Sequence, residues 1–151
     1  MNVFKFKMIL KMFDKKIDEK NNDQDLIKII SLFIHAAKID EDYTEKEKKI
    51  IINFIKKFLT NKRDENSILK LIRESEEKEK NSNQILEYTK EVKKMDLNFK
   101  TAVIETLWEI ILSDKRSVAY ESNLMRRICG LLYVPDRLSG EIKSKILNKK
   151  D

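Results

Sequence analysis

The chain has 151 residues, of which 38% are charged and 41% hydrophobic, and its formal net charge at pH 7 is +6. This length is most simply one domain with a sizeable buried core. Two glycines and one proline are too few for a protein built on tight β-hairpins, so the composition predicts an all-α fold.

The positive charge does not indicate a nucleic-acid partner. Nucleic-acid-binding proteins concentrate Lys and Arg on one face. Here residues 61–80 hold six bases and six acids, a mixture typical of solvated helix surfaces. We therefore predict no nucleic-acid role.

The single cysteine, Cys129, excludes an internal disulfide and a cysteine-based metal site. It lies in the apolar run ICGLLYV, which predicts an inert core thiol. A chain that uses no disulfides is typical of the cytoplasm, which is the predicted location.

Residues 1–24 are predicted to be an N-terminal amphipathic helix and a polar linker, the latter extending from Asp14 to Asp25. The helix has an apolar and a basic stripe, formed respectively by Phe6, Leu10, Phe13 and Ile17, and by Lys7, Lys11 and Lys15. Lysines interrupt the apolar sequence, so it does not resemble a secretion signal. Two interpretations stay open: the helix packs on the domain, or residues 3–17 contact an anionic membrane surface.

Residues 25–151 are predicted to form one helical domain, giving about seven helices around one core. Apolar positions recur every three or four residues in each predicted helix. The predicted helices are 26–39, 44–59, 67–80, 82–95, 97–114, 118–133 and 135–147. The first two of these, joined by the loop Asp40–Tyr43, form an αα-hairpin.

This hairpin occurs twice. A shift of 74 residues aligns apolar positions of the first hairpin with those of a second. The aligned pairs are Ile30 and Ile104, Phe33 and Leu107, Ile51 and Met125, Phe54 and Ile128, and Phe58 and Leu132.

The stretch LWEIILSDKRSVAYESNLMRRICGLLYV resembles the second half of the TerB-like family. This family includes the tellurite-resistance TerB proteins and the N-terminal domain of a DnaJ-like membrane co-chaperone. LFIHAAKIDEDYTEKEKKIIINFIKKFL resembles the family's first unit, and the similarity covers about residues 25–147. In the family each unit has a helix ending in Asp-Gly, followed seven residues after the Asp by a helical Glu.

The chain departs from this pattern at the loops. Glu41 and Lys115 stand where the family has glycine. The family's acidic residue five positions before the Asp is kept as Glu109, whereas His35 replaces it in the first unit. No His-Pro-Asp tripeptide is present, so no J domain is predicted.

The resemblance implies that the loop acids bind a divalent cation. Asp40, Asp42 and Glu47 offer oxygen ligands for Ca2+ or Mg2+, and His35 would add a nitrogen suited to Zn2+. The corresponding residues of the second unit are Asp114, Glu121 and Glu109.

A purely structural interpretation of the same acids stays open. Thr44 and Glu47 have the spacing of a helix capping box, which would account for Glu47 without a metal. Asp40 and Asp114 can accept loop amides, and the loop lacks the EF-hand spacing. Because Lys115 and Arg116 adjoin Asp114, we expect the first loop to be the better cation site.

The sequence contains no recognisable catalytic constellation, so we predict a non-enzymatic module that acts in binding or in a stress or tellurite-resistance response. The alternative is a membrane or protein-interaction scaffold that docks through the basic N-terminal helix without a metal. The protein partner is not identified by these patterns. Trp108 and Tyr133 are predicted to be core residues.

Overall fold

The computed structural model describes residues 19–40, 43–59, 64–82, 84–113 and 119–149, without the side chains of 19–22, 40, 59 and 119–122. Within these ranges the chain forms seven α-helices and no strand, which confirms the predicted all-α fold. The helices are α1 (Glu19–Ala37), α2 (Glu45–Phe54), α3 (Glu65–Asn81), α4 (Ile85–Lys93), α5 (Leu97–Ile111), α6 (Ala119–Leu132) and α7 (Asp136–Lys149).

Helix α1 begins seven residues before the predicted position, so the predicted linker is wrong for Glu19–Asp25. These residues are all polar, so the helix extends beyond the part that apolar spacing can reveal. The predicted N-terminal helix at residues 3–17 lies outside the described part of the chain.

The core is built around α1, which packs on α2, α3, α4 and α5. Ile29, Ile30 and Phe33 are fully buried, and buried side chains occur on all sides of this helix, as expected for a central helix. The Phe54 ring joins the two halves of the chain. Its centroid lies 4.8 Å from that of Phe33 and 6.3 Å from that of Phe99.

The structure confirms the repeated hairpin. Helix α1 ends at Ala37 and α5 at Ile111, while α2 begins at Glu45 and α6 at Ala119, so both pairs of boundaries keep the shift of 74 residues. All five pairs of aligned apolar residues are buried. The first hairpin differs in detail, because a 3-10 turn (Lys38–Asp40) follows α1 and a π turn (Ile55–Leu59) follows α2.

Of the two aromatic residues predicted to lie in the core, only Trp108 is buried, at 4% exposure, whereas Tyr133 is 72% exposed. Helix α6 ends one residue before Tyr133, whose backbone is left-handed with φ of 58°. The Val134 N–H donates to the Cys129 carbonyl at 2.9 Å, so the chain turns and Val134 enters the core instead. The prediction for Tyr133 is therefore wrong.

Replacing Tyr133 with glycine is expected to raise the free energy of unfolding by about 0.5–1 kcal/mol, because glycine adopts the left-handed backbone without strain. The gain is limited by loss of the contact between the Lys93 ammonium and the Tyr133 ring, 4.8 Å apart. Urea unfolding measures the effect. Tyr133→Ala is the control, since it keeps the Cβ atom, and equal stability of the two variants would refute the strain.

Candidate functional site

The structure brings together residues that flank the two acidic loops. Lys46, in the first turn of α2, donates a hydrogen bond from Nζ to the carbonyl of Ser113 at 3.0 Å. Ser113 immediately precedes the second loop, and Lys46 closely follows the first. The positions of Asp42 and Asp114, and of the Asp40 and Glu121 side chains, fall outside the described part of the structure.

The first loop passes into α2 through a capping box, as the structural interpretation predicted. The Thr44 backbone N–H donates to Glu47 Oε1 at 3.0 Å, and the Glu47 N–H donates to Thr44 Oγ1 at 3.4 Å. The Thr44 hydroxyl also donates to Glu47 Oε1, at 2.9 Å. Glu47 is only 2% exposed, so its carboxylate is part of the helix start, and Oε1 is already used there.

His35 is directed at helix α3. Its Nδ1 lies 3.4 Å from Glu79 Oε1, while Lys38 Nζ donates to Glu79 Oε2 at 2.8 Å. Glu79 is 4% exposed, and a buried carboxylate requires such partners. The last turns leading into the first loop are thereby fixed to α3 by a charged cluster of the three side chains.

Sequence reasoning missed Glu79, which looked like one of many solvated charges. A signal was present, because Ile68, Leu71, Ile72, Ser75 and Glu79 fall on one face of α3 and all are buried. The Ser31 hydroxyl donates to the Ser75 carbonyl at 3.3 Å, and the Ser75 hydroxyl donates to Leu71. The apolar face of α3 thus continues into a polar buried strip that faces α1.

Glu109 occupies the position equivalent to His35 but has different surroundings. It lines a cavity of about 300 Å³ between α2 and α5. Phe54 and Phe58 line this cavity from α2 and its π turn, with Glu105 beside Glu109 on α5. The equivalent positions His35 and Glu109 therefore lie in different environments.

Tyr43, at the end of the first loop, has a buried hydroxyl with no hydrogen-bond partner in the described structure. Burial raises the pKa of this phenol, and the nearby acids Glu76, Glu45 and Glu47 raise it further. Lys48 Nζ lies 3.8 Å from Glu76 Oε1. The surroundings of Tyr43 are thus acidic, and its hydroxyl lacks the partner that buried polar groups normally have.

Three of the predicted metal ligands have described side chains, namely His35, Glu47 and Glu109, and the structure does not bring them into one cluster. Among the side chains that can be placed, no three His, Cys, Asp or Glu residues are grouped so as to hold a metal ion. Asp40, Asp42, Asp114 and Glu121 are not covered by this observation. Metal binding stays a prediction.

Cys129 is 1% exposed, and burial raises the pKa of its thiol. Both properties match the predicted inert core cysteine, because a buried thiol that stays protonated is a poor nucleophile. None of the helices in the described ranges is long and apolar enough to cross a bilayer.

The fold defines a class: a helical module made of two copies of one helix-loop-helix unit. A family model described as "Tellurite resistance protein TerB" matches residues 26–144, which is more than half of the chain. The chain belongs to the TerB family. A comparison with curated proteins and one with solved structures each gave no match.

Proposed function

We propose that the chain is a non-enzymatic TerB module that binds a divalent cation where its two acidic loops meet, in a cytoplasmic stress or tellurite-resistance response. The observation that supports this proposal is the hydrogen bond between Lys46, just after the first loop, and Ser113, just before the second. Carboxylates from both loops can then approach one ion. A hard cation such as Ca2+ or Mg2+ takes several oxygen ligands of this kind.

The described side chains narrow the proposed ligand set. Asp40 and Asp42 from the first loop, with Asp114 and Glu121 from the second unit, would supply the oxygens. Glu47 is buried and engaged in the capping box, so it is left out of the proposed ligand set. His35 has Glu79 as a partner, which favours an all-oxygen site and Ca2+ or Mg2+ over Zn2+.

The buried Tyr43 hydroxyl also fits a cation site at this end of the bundle. It has no hydrogen-bond partner among the described residues and lies near acidic side chains. A hydrated cation at the loop would bring water oxygens, and these can accept a phenol hydrogen. The unpaired hydroxyl is thus an independent feature that supports a ligand beside the first loop.

Thermal unfolding of the full chain with Ca2+, Mg2+, Mn2+ or Zn2+ tests the proposal. A bound ion must stabilise the folded state, so we expect Ca2+ or Mg2+ to raise the midpoint, and Asp40→Asn/Asp114→Asn to reduce this increase. Asp64→Asn is the control, because Asp64 caps α3 and donates nothing to the loops. An unchanged midpoint with every ion, or equal responses of both variants, would reject the cation site.

The alternative function, docking through residues 3–17 without a metal, is favoured by the separate apolar and lysine-rich faces that the spacing of that segment predicts. Co-sedimentation with anionic vesicles distinguishes it. Binding that is lost in Phe6→Ser/Leu10→Ser, together with no response to any cation, would support the alternative. Recovery of the unmodified chain in the supernatant would rule out docking of residues 3–17 on a membrane.

A further inference from the structure

The exposed faces of α4 and α6, which pack against each other, differ in charge from that of α3. Their exposed charged side chains, where described, are all cationic. These are Lys90 and Lys93 of α4, Lys94 just after it, and Arg126 and Arg127 of α6. Helix α3, by contrast, exposes acids and bases together. The structure therefore gathers positive charge that is dispersed in the sequence.

Two apolar side chains accompany these cations. Tyr133 and Leu86, at 72% and 62% exposure, are the most exposed large hydrophobic residues in the described structure. Leu86, Lys90 and Lys93 recur at spacings of four and three residues, which places them on one face of α4. Lys93 Nζ lies 4.8 Å from the centre of the Tyr133 ring. We call Leu86, Lys90, Lys93 and Tyr133 the basic stripe.

The acids of α4 do not neutralise the basic stripe. Glu87 and Glu91 are partly buried. Glu87 pairs with Lys78 of α3 at 2.8 Å, and Glu91 lies 3.7 Å from Lys94. The pairing with Lys78 also lowers the pKa of Glu87, so this acid stays ionised and engaged with α3.

The backbone at Tyr133 is a second, independent observation. A left-handed residue after a helix is usually glycine, and here a bulky aromatic residue stands there with φ of 58°. Its side chain makes no contribution to the core, because it is largely exposed. A side chain kept in a disfavoured backbone conformation without a packing reason points to a role at the surface.

We propose that the basic stripe docks an acidic protein segment that carries apolar side chains. Carboxylates of the segment would pair with Lys90 and Lys93, while its apolar side chains would cover Leu86 and Tyr133. Exposed tyrosines frequently anchor protein interfaces. A rim of cations speeds the encounter with an acidic partner and selects for it.

Other anionic partners fit the basic stripe less well. Docking on a membrane surface needs a broad apolar face, and the basic stripe has only Leu86 and Tyr133. Single-stranded nucleic acid needs aromatic surfaces for successive bases, and Leu86 provides none. The basic stripe has Leu86 at one end, Tyr133 at the other and two lysines between them. This arrangement fits an acidic peptide with apolar side chains better than a membrane or a nucleic acid.

Fluorescence anisotropy of a short labelled peptide of Glu and Leu, titrated with the full chain, tests the docking site. We expect binding that weakens at high salt and that falls about tenfold in Leu86→Ser, Lys93→Gln and Tyr133→Gly. Tyr133→Gly is the sharpest variant, because it should bind less while being more stable, which separates docking from folding.

Leu69→Ser and Lys70→Gln on α3 are the matched controls, since both residues are exposed on a surface of mixed charge. Both should bind the peptide as the unmodified chain does. Equal binding by all variants, no binding at low salt, or tighter and stripe-dependent binding of oligothymidine or anionic vesicles would overturn the proposal. A matched peptide with Gln in place of Glu should not bind.

Discussion

Replacing Phe33 with alanine is expected to lower the free energy of unfolding by about 3–5 kcal/mol, the usual cost of removing a buried aromatic ring. Phe33 is fully buried in the central helix α1, and its ring lies 4.8 Å from that of Phe54. The cavity would open where the first hairpin meets the second. Denaturant unfolding followed by the fluorescence of Trp108 measures the loss.

Leu107→Ala provides the matched test of the repeat, because Leu107 holds the equivalent position in α5 and is also fully buried. Its expected cost is about 2–5 kcal/mol. Leu86→Ala is the surface control and should change stability by no more than about 0.5 kcal/mol. A small effect at Phe33 or Leu107 would show that the two positions are not both in the core.

Lys38→Met is expected to destabilise the chain by about 2–3 kcal/mol, because it leaves the buried Glu79 carboxylate without its closest cation. The cost falls short of that for a fully enclosed pair, since 37% of the Lys38 side chain is exposed and His35 remains near Glu79. Urea unfolding at neutral pH measures this loss.

Glu79→Leu should cost much less, about 1 kcal/mol, because it removes the buried charge and leaves Lys38 able to reach water. The double variant Lys38→Met/Glu79→Leu should recover most of the stability lost in Lys38→Met. Equal costs for the two single changes would mean that burial of Glu79 does not control the energetics of this cluster.

The fold was largely predictable because its signals are local and repeated. Helical spacing of apolar residues located the helices, and the shift of 74 residues anticipated that Phe54 and Ile128 would be buried at equivalent positions. The start of α1 was missed because its first seven residues are polar and carry no apolar pattern. Tyr133 was misplaced because the apolar spacing of α6 does not reveal a left-handed turn at its end.

The site was predictable only where its interactions are local. The capping box joins Thr44 to Glu47 three residues away, so its spacing was sufficient. Glu79 of α3 contacts Lys38 and His35, which precede it by 41 and 44 positions in the sequence. No local sequence pattern pairs residues so far apart. The hydrogen bond from Lys46 to Ser113 likewise depends on how the two hairpins pack.

The two proposed functional surfaces involve different helices. The cation site is proposed beside the start of α2 and the end of α5, whereas the basic stripe lies on α4 and just after α6. Changes at Asp40 and Asp114 should therefore leave peptide binding intact. Changes at Lys93 and Tyr133 should leave the cation response intact, so each surface can be tested alone.

The most direct measurement of the repeated, packed hairpins is a nuclear Overhauser experiment on the full chain with labelled phenylalanine rings. The account predicts contacts from the Phe54 ring to both Phe33 and Phe99, whose ring centroids lie 4.8 and 6.3 Å away. Phe33 represents the first hairpin, and Phe99 lies in the helix that begins the second. Contacts to Phe33 alone would show that the second hairpin does not pack on the first, and would contradict adjacent acidic loops.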